Sequence, residues 1–507
     1  MPLNSVFGWF IKKRLHQIEL FMKYPVEVQQ ELFRNLMDEA ALTQFGQDHG
    51  FSRIQSYEDF KKAVPIRNYE ALSPYIERLR EGQQNILWPS RLKWFAKSSG
   101  TTDARSKFIP VTSEALEECH YKGGKDLLAL YYNQRPDANL YSGKHLIIGG
   151  SAKINPFNDD GYTGDLSAII IRNLPVWAEM RRAPSRDIAL MDNWDEKIER
   201  MAESTLHEDI HMIAGVPSWT LVLLKRILDM AGKQHIQEVW PNLELFWHGG
   251  VSFKPYRDQF EQIMGSSGIH FMETYNASEG FFGIQDRLDA DDMLLMLDYG
   301  IFYEFMPLEE YGKTNPKTLA LREVEVGQQY ALVISTNGGL WRYLLGDTVR
   351  FTSVEPYRIQ VSGRTRHYIN AFGEELMIEN ADDAILHACR RTGAEISEYT
   401  AAPVYMDNQS TGAHEWFIEF TKAPADIQAF GELLDQRLRA VNSDYDAKRA
   451  HDFILRAPIM RALESGTFHA WMKSMNKLGG QNKVPRLCND RRYVDELIQH
   501  TTQSACL

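Results

Sequence analysis

The stretch IHMIAGVPSWTLVLLKRILDMAGKQHIQEVWPNLELFW, residues 210–247, decides the fold class. It opens with a short apolar run, Ile210 to Ala214, that stops at Gly215. It closes with a second run, Leu243 to Trp247, that stops at His248 and the pair Gly249-Gly250. Both have the length and the bounding turn residues of a buried strand. Between them, Ser218 to Ala231 repeats its apolar side chains at helical spacing. Strand, helix, strand in so short a span predicts an α/β sheet that binds ligands at the carboxyl ends of its strands.

The same alternation continues outward. His145 to Ile148, Ser167 to Ile171 and Ile269 to Tyr275 read as further buried strands, and Tyr256 to Met264 as a helix. From Met293 onward, strands follow one another with little helix: Leu294 to Leu297, Ile301 to Met306, Tyr330 to Thr336 and Thr348 to Thr352. They predict an antiparallel, β-barrel-like sheet attached to the α/β core. Upstream, the first ninety or so residues read as helices broken by Pro25, Pro65 and Pro74. A boundary is expected near Val361 to Arg364, which gives a large N-terminal domain, 1–363, and a small, mobile C-terminal α+β domain, 364–507. The small domain reads as a helix (Ile378 to Arg391), strands at Ser397 to Tyr405 and Trp416 to Thr421, a helix (Pro424 to Val441) and a strand near Phe453.

Composition narrows the function classes. With 44% hydrophobic and 24% charged residues, the 507-residue chain is neither disordered nor collagen-like nor a disulfide miniprotein. Its net charge of −12 repels a phosphate backbone, so no nucleic-acid partner is expected. The clusters Lys12, Lys13, Arg14 and Arg181, Arg182, Arg186 read as solvated faces. Four scattered cysteines, Cys119, Cys389, Cys488 and Cys506, with no CxxC pair, argue for reduced thiols, a cytoplasmic home and no zinc. No apolar run is long enough to span a membrane, and the N-terminus lacks the order of a signal peptide. Val6, Phe7, Phe10, Ile11, Leu15 and Ile18 instead predict an amphipathic helix docked on the protein.

Four stretches carry chemistry. Lys97-Ser98-Ser99-Gly100-Thr101-Thr102-Asp103-Ala104-Arg105-Ser106-Lys107 places hydroxyls around a glycine with cations just after, which suits a loop wrapping phosphate oxygens, although it is not a Walker A loop. Trp247-His248-Gly249-Gly250-Val251-Ser252 ends a strand at a glycine pair, where a flat ligand can approach the backbone. Phe271 to Gly280 then supplies an aromatic, a hydroxyl and a carboxylate suited to a base, a phosphate and Mg²⁺. Leu340 to Asp347 brings an acid after a glycine, able to accept both hydroxyls of a ribose. Near the C-terminus the basic run KSMNKLGGQNKVPRLCNDRR, residues 473–492, predicts a loop that can reach an anionic ligand. His211, His248 and His367 read as structural, Trp219 as core, and Met293 to Leu297 as packing.

Taken in order, S-S-G-T-T at 98–102, Y-N-A-S-E-G at 275–280, Y-L-L-G-D at 343–347 and G-R at 363–364 resemble the acyl-adenylate-forming superfamily. Within it the chain is most similar to the acyl acid amido synthetases, the auxin-responsive promoter family, on the further evidence of Glu323 to Gly327 leading into Tyr330 to Thr336 and of Gly300 to Phe305. The resemblance covers nearly the whole chain. It implies a ligase that uses ATP and Mg²⁺ to adenylate a small carboxylic acid and then transfers the acyl group to an amine, an amino acid, releasing AMP. It implies phosphate contacts from Ser98, Ser99, Gly100, Thr101 and Thr102, and nucleotide contacts from Gly249, Gly250 and Val251. Tyr275 would stack the adenine, followed by Asn276, Ala277 and Ser278; Glu279 would hold Mg²⁺, and Asp347 the ribose. Arg364 would stand at the hinge near the nucleotide, and Lys483 would reach the α-phosphate as the small domain rotates between half-reactions. Asp103 to Lys107 replaces the Gly-x-Pro-Lys of acyl-CoA ligases, which points away from a thioester product. An acyl-CoA ligase, a catalytically inactive nucleotide-binding homologue and a membrane-associated interaction protein led by the N-terminal helix are the alternatives.

Overall fold

The computed structural model describes the chain except residues 1, 99–106, 150–154, 157–160, 192, 252, 254–255, 266–267, 365–367, 408–409, 476–483 and 505–507. Its centre is an eleven-stranded sheet. One half is parallel: His270–Ala277, Leu245–Gly249, Ile210–Gly215, Lys144–Ile147 and Arg182–Ala183 lie side by side in that order. Ile210 to Ala214 are buried throughout, as strands covered on both faces must be. The helix Pro217–Ala231 follows, started by a proline in its first turn and stopped by Gly232 at φ +64°.

The other half is antiparallel and belongs to the same sheet. Its strands are Gly280–Ile284, Met293–Leu295, Tyr357–Arg364, Tyr343–Val354, Gln329–Thr336 and Ile301–Pro307. The hairpin His270–Ala277 to Gly280–Ile284 joins the halves, with Ser278 and Glu279 in its turn. A second, four-stranded sheet holds the antiparallel pair Trp94–Ser98 and Lys107–Val111, with Tyr162–Gly164 parallel to the first of them. Beyond Arg364 come the helix Ile378–Thr392, a three-stranded sheet of Glu395–Val404, Ala413–Lys422 and Ile459–Leu463, and the helix Ile427–Val441.

Several expectations are corrected. Ser167 to Ile171 is not a strand but lies in the helix Leu166–Arg172, with Ala168, Ile169 and Ile171 buried; a short apolar run has no periodicity that separates the two. Pro74 does not break its helix: Tyr69–Arg80 runs through it, with Pro74 exposed and Leu72, Ile76 and Leu79 buried on the other face. Phe453 is not in a strand but follows a short turn whose His451 has φ +52°; the strand comes later, at Ile459–Leu463, parallel to Ala413–Lys422. Arg14 and Arg182 are not solvated. Arg14 contacts Asp126 at 2.6 Å and Asp298 at 2.8 Å, and Arg182 is buried against Glu179 at 2.6 Å. In the N-terminal helix Pro2–Lys23, Leu15 and Ile18 pack on the core as their spacing predicts, joined by Phe21, while the side chains of Val6, Phe7, Phe10 and Ile11 lie outside the described residues. Among the described residues no helix is long and apolar enough to cross a membrane.

Candidate active site

The loop read as a phosphate cradle is framed by two strands. Ser98 ends one and pairs with Lys107, which begins the next. Ser99, Gly100, Thr101 and Thr102 fall between them, outside the described residues. Gly249 and Gly250 end the strand Leu245–Gly249. A Cβ on Gly249 would stand 2.6 Å from the carbonyl oxygen of Thr274 and 3.1 Å from Asn276 Oδ1, so the two strand ends meet in a way that only glycine permits. Gly250 has φ +84°, and Val251 beyond it is buried. Thr274 ties these ends, accepting from Trp247 Nε1 at 2.8 Å and donating to the His248 carbonyl at 3.2 Å.

His248 is structural. It is buried, its ring stacks on Phe253 at 4.0 Å, and burial pushes it down to about 3, which keeps it neutral. His211 lies against Asp209 at 3.1 Å, away from the strand ends, and His367 is outside the described residues.

The strand His270–Ala277 presents Tyr275, whose hydroxyl donates to Asp347 Oδ2 at 2.8 Å. Its ring packs on Phe282 at 4.8 Å. Asp347 is buried and pairs across the ladder with Arg364, so an acid and the last residue of Tyr357–Arg364 face each other. Asn276 and Ala277 complete the strand, and Ser278 and Glu279 turn out of it, half-buried. Glu279 accepts a long bond, 3.3 Å, from the Tyr343 hydroxyl. Burial raises its pKa; Lys107 opposes that rise, while Glu375 and Asp347 add to it. Lys107, at the start of the strand Lys107–Val111, thus lies within electrostatic reach of the Glu279 turn.

Three groups escaped sequence reading. Tyr343 was quoted only as the first residue of the Y-L-L-G-D motif, without a role. Lys107 was quoted only as a loop cation, without a partner. The loop 370–375 lies against the parallel half of the sheet and its helices through Asn370 Nδ2 to the Gly250 carbonyl at 3.4 Å, the Tyr256 hydroxyl to the Ala371 carbonyl at 2.6 Å and the Ser218 hydroxyl to the Phe372 carbonyl at 3.2 Å. Its only sequence signal was a glycine followed by two acids, Gly373-Glu374-Glu375. Lys483 lies outside the described residues, and of Arg364 only the backbone is described.

Family models match most of the chain: the GH3 family N-terminal domain at residues 14–269, the central domain at 294–364 and the C-terminal domain at 379–492. The chain belongs to the GH3 family. Its curated GH3 relatives include the indole-3-acetic acid-amido synthetase GH3.3 of Arabidopsis thaliana, 23% identical over 96% of this chain and 93% of that protein. The jasmonoyl–L-amino acid synthetase GH3.5 of Oryza sativa subsp. japonica is 22% identical over 97% of this chain and 98% of its own. Among solved structures, GH3.15 acyl acid amido synthetase in complex with 2,4-DB superposes with a TM-score of 0.63 at 16% identity, covering 97% of this chain and 96% of the other. A 2-hydroxyisobutyryl-CoA ligase superposes at 0.52 and 14% identity, over 99% and 93%. The GH3 chain therefore has the acyl-adenylate-forming fold, and its class is that of the amido synthetase ligases.

Among the described residues no three His, Cys, Asp or Glu side chains gather as a metal cage. Glu279 is instead a single hard carboxylate beside the expected phosphates, and Mg²⁺ bound chiefly through a nucleotide asks no more of the protein.

Proposed function

We propose that this chain is an ATP-dependent acid-amido synthetase: it joins a small carboxylic acid to AMP, releasing pyrophosphate, and then passes the acyl group to the amine of an amino acid. One observation carries the reading. The Tyr275–Asp347 hydrogen bond joins two motifs 72 residues apart, and Glu279 and Lys107 stand beside it, so groups suited to adenine, ribose and phosphate share one edge of the sheet.

A carboxylate is a weak nucleophile and a triphosphate is heavily anionic, so catalysis rests on in-line positioning and on neutralising charge at the α-phosphate. Ser98, Ser99, Gly100, Thr101 and Thr102 supply hydroxyl and amide donors, and Lys107 at the foot of the hairpin supplies charge. Gly249, Gly250 and Val251 let the base approach the backbone, backed by Tyr275 and Asn276. Tyr275 also aims Asp347, which accepts the ribose hydroxyls, with Arg364 opposite. Ser278 and Glu279 face the phosphates; Mg²⁺ held by Glu279 would offset their charge. Lys483, in the basic run of residues 473–492 of the domain 364–507, reaches the α-phosphate for the first step and leaves as that domain turns for the second.

Asp103 to Lys107 and the GH3 match favour an amide over a thioester. The free thiols of Cys119, Cys389 and Cys488 support a reducing compartment, the cytoplasm. Pyrophosphate release screened across a library of small carboxylic acids tests the first step. Release that depends on one class of acid is expected, and no acid-dependent release from any compound would overturn the reading.

A further inference from the structure

We infer that Lys448 receives the carboxylate of the amino-acid acceptor, an inference that rests on the amide-forming reading above. Lys448 sits in the short helix Ser443–Arg449 of the small domain and is only 6% exposed. Its Nζ lies 3.9 Å from the ring centroid of Trp219, at the start of the large domain's helix Pro217–Ala231. Among the described residues it has neither a hydrogen bond nor an ion pair to any oxygen. The next residue shows what this fold does with a buried cation elsewhere: Arg449 is held by both oxygens of Asp435, at 2.8 and 2.7 Å. An ammonium buried on an indole with no anion in contact is an incomplete site.

The surroundings say which anion completes it. Four carboxylates face Lys448 at longer range: Asp444 one turn back on its own helix, Asp165 at the head of the large domain's helix Leu166–Arg172, and Glu374 and Glu375 on the loop 370–375. Glu374 is engaged by the Phe372 amide and by His414, each at 2.7 Å. A cation lacking a contact partner, with acids within electrostatic reach, is the complement of a zwitterion: carboxylate toward Lys448, ammonium toward the acids. A simple anion would meet the acids, and a simple amine would leave the lysine unanswered. Burial holds the Lys448 ammonium below its usual range, and an incoming carboxylate reverses that shift.

The place is right for an acceptor. A Cβ on Gly373 would stand 3.3 Å from Lys448 Cε and 4.0 Å from Trp219 Nε1, so the loop 370–375 lies directly against the pair. The same loop touches Gly250 and brings Glu375 within electrostatic reach of Glu279. The ammonium therefore stands behind the loop that borders the nucleotide edge.

Amide formation by full-length Lys448→Met and Lys448→Arg decides the matter. The acid is the best one from the pyrophosphate screen, and the acceptors are alanine, valine and phenylalanine against ethylamine, isobutylamine and phenethylamine. Lys448→Met should raise KM for the amino acids at least about tenfold while KM for the matched amines moves little, so the preference for a carboxylate collapses. Lys448→Arg should restore part of it. Equal losses on amino acids and amines, or an unchanged amino-acid KM in Lys448→Met, would overturn the inference alone. A wild-type chain that releases pyrophosphate yet forms no amide would overturn the amide reading and this inference with it.

Discussion

Asp347 is aimed before any nucleotide arrives. The Tyr275 hydroxyl donates to one of its oxygens at 2.8 Å, which orients the carboxylate. Hydrogen bonds to a charged group contribute roughly 1.5–3 kcal/mol, so Asp347→Ala should raise KM for ATP about tenfold or more. Tyr275→Phe, which keeps the ring, should have a smaller effect of the same kind. Unchanged ATP kinetics in a folded Asp347→Ala protein would remove the residue from the site. Glu279 allows a test of opposite signs. Burial raises its pKa, so the folded chain disfavours the carboxylate, and this residue's contribution to stability falls as pH rises from the ordinary carboxylate range through the raised value. Nucleotide-free Glu279→Gln should therefore melt above wild type near neutral pH and converge with it in acid, while its adenylation rate drops and its Mg²⁺ requirement climbs. A variant that melts and titrates with Mg²⁺ as wild type does would leave Glu279 with neither role. These acids were legible because Glu279 follows a strand end and Asp347 follows a glycine. Lys448 was not, because its meaning lies in Trp219, which only the fold brings to it.

The N-terminal helix Pro2–Lys23 shows what periodicity reveals and what it hides. Its apolar spacing placed Leu15 and Ile18 against the core, where Phe21 joins them. Its polar anchor was invisible: Arg14 looked solvated, yet it joins Asp126 and Asp298, which come from distant parts of the chain. Lys122 and Tyr299 share these acids, at 3.1 Å from Asp298 and 2.6 Å from Asp126. Removing one partner of a buried pair strands the other, at a cost of about 3–5 kcal/mol. Arg14→Met should lose that much in urea unfolding, and a loss below about 1 kcal/mol would mean that the apolar face alone docks the helix. Ser167 to Ile171 failed for a different reason. A serine followed by four apolar residues suits a strand or a buried helical turn equally, and Asp165 at the head of Leu166–Arg172 was too weak a start signal to decide.

Across the whole molecule, the sheet changes from parallel to antiparallel at the hairpin that carries Ser278 and Glu279, and the groups proposed to hold the nucleotide gather there. The alternation of strands and helices made this half-and-half plan readable. That both halves share one sheet was not, because strand order between distant segments leaves no local pattern. The chain beyond Arg364 meets this edge through the loop 370–375, and the basic run of residues 473–492, with Lys483, follows later in the same stretch of sequence. Loss of one aimed donor in a dry site costs on the order of 10²–10³ in rate. Lys483→Ala should slow adenylate formation by that order while largely sparing amide formation from pre-made acyl-adenylate. Equal losses in both half-reactions would contradict a rotation between them, and a selective defect in Lys477→Ala instead would move the role to that residue. The most direct measurement is the mass of the product formed from acid and ATP with an amino-acid mixture and coenzyme A offered together. The expected product is the acid joined to an amino acid through an amide, with AMP and pyrophosphate released in step. A coenzyme A thioester with no amide, or acid-dependent pyrophosphate release that yields no conjugate, would contradict it.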